Sequence, residues 1–125
     1  MHELSIARAI VNEVVSQAQA RNMTAVSVVK VRVGGLCGIQ KDALVFGFDF
    51  AKLDGPLANA SLEVEAVPIR IHCATCNDVV EALSTYQIAC VSCHEPSSKI
   101  ISGRELEITG FIASLREEEE LVHHG

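Results

Sequence analysis

A chain of 125 residues suits one compact domain, or a domain carrying a small inserted lobe. Sixteen Asp and Glu against ten Lys and Arg leave a net charge of −6, which disfavours nucleic-acid binding because that depends on neutralising phosphates. Apolar residues make up 49%, but with four Phe, one Tyr and no Trp the core is expected to be aliphatic, and no apolar run approaches the roughly 20 residues of a membrane span.

The opening Met1-His2-Glu3-Leu4 lacks the basic segment and cleavage site of a secretory signal, so the expected compartment is the cytoplasm. Residues 3–21 read as an amphipathic helix: Leu4, Ala7, Val11, Val14 and Ala18 recur at steps of three and four, and Asn22 is a stop signal. Ala25 to Val33 reads as a strand. Val29, Val31 and Val33 share one face with Ser27, and Val26, Val28, Lys30 and Arg32 form a half-buried second face. Gly34-Gly35 breaks it. A second helix is expected from Lys41 to Leu53, with Asp42 in its first turn, a stripe of Phe46, Phe50 and Leu53, and Leu44 and Phe48 widening the apolar surface. Gly55-Pro56 ends it. Leu62 to Ile71 alternates as one strand, with Pro68 marking an edge or a bend. A last strand is expected over 105–112, and Glu117 to Glu120 reads as a solvated tail.

Between those last two strands lie Cys73-x-x-Cys76 and Cys90-x-x-Cys93, thirteen residues apart. Two such knuckles can bring four thiolates around one tetrahedral Zn²⁺, and a closed Cys₄ set leaves no open position for catalysis. In a cytoplasmic protein paired cysteines bind metal more often than they form disulfides. About thirty residues bury too little apolar surface to fold unaided, and metal ligation makes up the deficit. The expected fold is α/β: a small sheet with two helices, and a Cys₄ zinc-ribbon-like lobe over residues 70–102 inserted into a domain formed by 1–69 and 103–125.

Rival readings of the cysteines are weaker. Cys90-Val91-Ser92-Cys93-His94 matches the haem-attachment pattern, but that requires export and leaves Cys73 and Cys76 unexplained. A nucleic-acid ribbon would need more than Arg70 and Lys99 and more than one aromatic, Tyr86. An enzyme with catalytic zinc lacks both an open site and a nucleophile–base pair. A zinc-ribbon interaction module without any second metal stays open. His72 and His94 flank the two pairs as supporting groups, exposed residues or pH-sensitive ones; Cys37 is a small buried residue, an accessory ligand or a redox-sensitive thiol.

The terminal amine of Met1, the His2 amide and the His2 imidazole can form two fused chelate rings, a planar nitrogen set that favours Ni²⁺ or Cu²⁺, with Glu3 available as a further donor. Any chain beginning Met-His has this, and a frayed terminus is the plain alternative.

Taken together, Met1-His2-Glu3-Leu4-Ser5-Ile6, Gly35-x-x-Gly38, Ala43-Leu44-x-Phe46-x-Phe48 and the cysteine quartet closely resemble the HypA/HybF family of hydrogenase maturation nickel metallochaperones over nearly the whole chain. The resemblance implies a nickel-binding α/β domain built from both ends of the chain, a zinc domain between them, and a carrier rather than an enzyme. It implies Ni(II) as cargo at His2, with the Met1 amine and Glu3 beside it, and structural Zn(II) on Cys73, Cys76, Cys90 and Cys93. Its implied partners are a HypB-type GTPase and the large subunit of [NiFe]-hydrogenase; some relatives also serve urease. No nucleic acid or membrane is implied. Gln40 departs from the pattern, because relatives often carry an acid there, near the nickel. The His123-His124 pair is outside the motif, either adventitious metal affinity or a tail.

Overall fold

The computed structural model describes residues 3–53, 55–115 and 118–123. Met1 and His2, Glu117 and His124 lie outside them. The order is α1 (Glu3–Ala20), β1 (Ala25–Gly34), a 3₁₀ turn (Gly35–Cys37), α2 (Lys41–Ala51), β2 (Ser61–Val67), β3 (Arg70–Cys73), β4 (Asp78–Glu81), β5 (Ile100–Ser102), β6 (Leu106–Leu115) and β7 (Glu118–His123). The strands form a four-stranded sheet, β2-β1-β6-β7, and a three-stranded sheet, β4-β3-β5.

Helix α1 forms because its apolar residues hold a helical period: Ala7, Ile10, Val11, Val14 and Ala18 are buried. It stops in a left-handed cap. Asn22 has φ 56, its amide reaches the Gln19 carbonyl at 3.1 Å, and the Met23 amide reaches Ala18 at 2.9 Å. On β1 the expected face is buried at Val29, Val31 and Val33, with 0, 2 and 8% exposure, but Val26, expected on the half-buried face, is buried too at 2%. Phe48, Leu44, Phe111 and Leu57 are also fully buried.

Three sequence expectations need correction. First, the stripe Phe46, Phe50 and Leu53 is 75, 55 and 63% exposed; α2 buries Leu44, Gly47 and Phe48 instead, and ends at Ala51. The reason is close helix approach. A Cβ on Gly47 would lie 3.3 Å from the Leu4 Cα and 3.4 Å from the Ala7 Cβ, so the bare side of α2 meets α1. Second, Leu62 to Ile71 is two strands in two sheets, separated at Pro68 and Ile69. Proline donates no ladder hydrogen bond, so the strand ends where the chain changes sheet. Third, Glu118 to Glu120 is not a tail. It belongs to β7, antiparallel to β6, with Phe111 opposite Val122 and Ile112 opposite Leu121. Phe111 and Val122 are both buried, which fixes the register.

The chain divides into two compact units: Met1–Val31, Ile39–Glu65 and Glu107–Gly125 form one, and Arg32–Gly38 with Ala66–Leu106 the other. Residues 32–38 belong with the second because their amides bond into it. Gly34 N–H donates to Glu105 O at 2.6 Å and Leu36 N–H to Gly103 O at 2.8 Å. A Cβ on Gly34 would sit 2.1 Å from the Gly103 carbonyl oxygen, so only glycine permits this approach.

Candidate metal centre

The hairpin of β3 and β4, in register from Arg70–Glu81 to Cys73–Asp78, carries the first cysteine pair in its turn. The second pair follows a short antiparallel bridge between Ala82 and Cys90. Both C-x-x-C segments fold alike. The residue after each second cysteine is left-handed, Asn77 at φ 52 and His94 at φ 65, which turns the chain back sharply after the knuckle. In the first knuckle the Cys76 amide donates to Cys73 Sγ at 3.4 Å; in the second, the Ser92 and Cys93 amides donate to Cys90 Sγ at 3.4 and 3.5 Å. Amides aimed at sulfur favour the thiolate.

The four sulfurs lie within 4.8 Å of one another. Cys73 Sγ is 3.5 Å from Cys93 Sγ, and Cys76 Sγ is 3.9 Å from Cys90 Sγ. A tetrahedron with metal–sulfur bonds of roughly 2.3 Å has edges of about 3.8 Å, so the quartet has the dimensions of a four-thiolate cage. Cys73 and Cys90 are buried, Cys76 and Cys93 exposed, so one side of the cage is open to solvent.

The electrostatics point the same way. The amides of Cys93 and Ser92, against opposing burial, pull the Cys90 thiol down to about 6. Hydrogen bonds to the sulfurs of Cys93, Cys73 and Cys90 push Cys76 up to about 12. One thiolate thus suppresses ionisation of its neighbour, and only a cation lets all four ionise together.

The other candidates fall elsewhere. Cys37 is not in the quartet; it is half-buried, and its thiol points at the carbonyls of Glu105 (3.2 Å) and Arg104 (3.6 Å). His72 sits on β3 opposite Val79, its carbonyl accepting from Ser97 Oγ at 2.7 Å, and His94 is exposed. His123 pairs with Gly110 on β7.

Glu3 opens α1, and its Oε2 accepts from the Gln40 amide at 3.3 Å, just where α2 begins. Its own amide and that of Gln40 hold the Glu3 carboxyl below its usual value. Gln40 therefore meets Glu3 through its backbone, a contact that the side-chain comparison in the sequence did not anticipate. The left-handed positions at Asn77 and His94 were missed too. Asn is a recognised left-handed residue and could have been flagged, whereas nothing in the sequence singles out His94.

Two helices, a four-stranded sheet and a β unit built around four convergent thiols define a small α/β protein with a ribbon-like unit whose cysteines are positioned for metal binding. Residues 1–112 match the family described as hydrogenase/urease nickel incorporation, metallochaperone, hypA. The hydrogenase maturation factor HypA of Chloroflexus aggregans is 44% identical over 108 residues, covering 86% of this chain and 95% of that protein. Its counterpart in Roseiflexus is 40% identical over 109 residues, covering 86 and 88%. The solution structure of the Ni metallochaperone HypA from Helicobacter pylori shares the fold, with TM-score 0.58 and 18% identity over 99% of this chain and 100% of that one. A second solution structure, of HypA protein, gives 0.65 and 20%, covering 94 and 98%. The chain belongs to the HypA family of nickel-incorporation metallochaperones. Among the described residues no helix is long and apolar enough to cross a membrane.

Proposed function

We propose that this chain carries Ni²⁺ in the cytoplasm on a chelate at its amino terminus and, with a HypB-type GTPase, supplies it to the large subunit of [NiFe]-hydrogenase. The ligands are the Met1 amine and the amide and imidazole of His2, with Glu3 as the adjacent carboxylate. The observation that carries this is the family match, which begins at residue 1. The Glu3 carboxylate, held below its usual value by its own amide and by that of Gln40, supports it by placing a negative charge next in sequence to the chelate. A terminal chelate exchanges its ligands one at a time, which suits transfer.

Cys73, Cys76, Cys90 and Cys93 hold Zn²⁺ as a structural ion. A closed set of four thiolates resists exchange and offers no site for activating water. Nickel is the cargo and zinc the fastener.

His2→Gln tests the proposal, because a bulky second residue preserves Met1. Equilibrium titration of the untagged variant is expected to lose the nickel equivalent while zinc content stays at one per chain. Full nickel affinity in that variant would falsify the terminal chelate. It would leave the reading of an interaction module whose partner binding depends only on zinc.

A further inference from the structure

Strand β2 is the outermost strand of the four-stranded sheet, next to β1. An edge strand presents a row of backbone donors and acceptors on its free side, a template for a further strand. Its residues alternate: Leu62 and Val64 are half-buried, Glu63 and Glu65 exposed. On the sheet face, running inward from this strand over β1 to β6, lies a furrow of about 290 Å³ lined by Lys30, Val31, Glu63, Val64, Glu65 and Thr109. Thr109 Oγ1 donates to the Lys30 carbonyl at 3.3 Å, tying β6 to β1 beneath that furrow. The edge therefore combines main-chain capacity, an apolar alternate row and two carboxylates two residues apart on one face.

We propose that β2 is a docking edge for an extended segment of a partner protein in which Lys or Arg alternates with β-branched residues. Such a segment adds as a fifth strand. Its basic side chains stand opposite Glu63 and Glu65, and its β-branched side chains continue the row of Leu62 and Val64. The protein's net charge of −6 steers a basic segment toward it. A second copy of this chain fits poorly: antiparallel pairing centred on Val64 sets Glu63 of each copy against Glu65 of the other, and like charges directly opposite repel.

The test uses the full chain and a labelled synthetic peptide alternating Lys with Val and Thr, followed by fluorescence anisotropy and amide chemical shifts. The expected result is saturable binding with shifts at residues 61–65 and on β1. The same peptide N-methylated at alternate residues should bind at least about tenfold more weakly, because it cannot complete the ladder. A peptide with Glu in place of Lys should also fail, and Glu63→Lys should weaken binding of the basic peptide by about fivefold. Equal binding of the N-methylated peptide overturns strand addition and leaves simple charge attraction. Shifts confined to β7 or to the cysteine unit overturn the location, and sedimentation showing a dimer that Glu63→Lys strengthens or abolishes assigns the edge to a second copy instead.

Discussion

Two residues outside the ligand set shape the metal centre, Asn77 and His94, each left-handed immediately after a C-x-x-C pair. For a residue with a Cβ that conformation costs roughly 1–2 kcal/mol, least for Asn, and glycine adopts it freely. His94→Gly is therefore expected to stabilise the metal-loaded protein by up to about 1 kcal/mol, part of the relief being lost to the freer unfolded chain. Asn77→Val should destabilise it by roughly the same amount or more, since a β-branched residue tolerates positive φ worst. Thermal unfolding with zinc in excess reads both. An unchanged midpoint in both variants would mean that the knuckles do not depend on these turns.

At the level of elements, the packing of α1 on α2 rests on an absence of side chain. Gly47 brings α2 close to Leu4 and Ala7, which turns Phe46 and Phe50 outward. Gly47→Val should separate the helices and cost about 1–3 kcal/mol, as overpacking does. Because the same approach sets Glu3 beside the Gln40 amide, the variant should also raise the Glu3 carboxyl toward its ordinary value. The sign follows from the direction of the shift. A depressed carboxyl stabilises the fold above its unfolded pKa, near 4.5, and loses that contribution as pH falls through the lower folded value. NMR titration of Glu3 in the wild type and in Gly47→Val checks the coupling, and an identical titration in the two would refute it.

On the scale of the molecule, the two units differ in what holds them. The first has a core of helix and sheet residues, including Val14, Val29, Leu44, Phe48 and Phe111. In the second unit the buried apolar side chains are Val33, Ile69, Ile71, Cys73, Ala89 and Cys90, two of them thiols of the quartet. On the proposed reading, an ion in the quartet makes up for so small a core, since structural zinc in small peptides is worth roughly 10–16 kcal/mol. Stripping the metal with a chelator should collapse the amide dispersion of residues 70–102 while the helical signal of α1 and α2 persists. Rebinding at pH 7 should release several protons per ion, from Cys90 as well as Cys76, because in the collapsed unit both thiols lose the contacts that shift them and return toward the ordinary value of 9.0. Calorimetry in buffers of different ionisation enthalpy measures the proton count.

Much of this was legible before any coordinates. Periodicity located α1, β1 and the start of α2, and cysteine spacing identified the four thiols that converge, because both depend on residues near one another in the chain. The face that α2 buries, the division of residues 62–71 between two sheets and the pairing of the acidic carboxyl-terminal segment were not legible in that way. Each depends on a partner distant in sequence: α1 approaching through Gly47, Pro68 where the chain changes sheet, and Phe111 opposite Val122. Local pattern specifies which residues avoid water, but only packing decides against what they are buried.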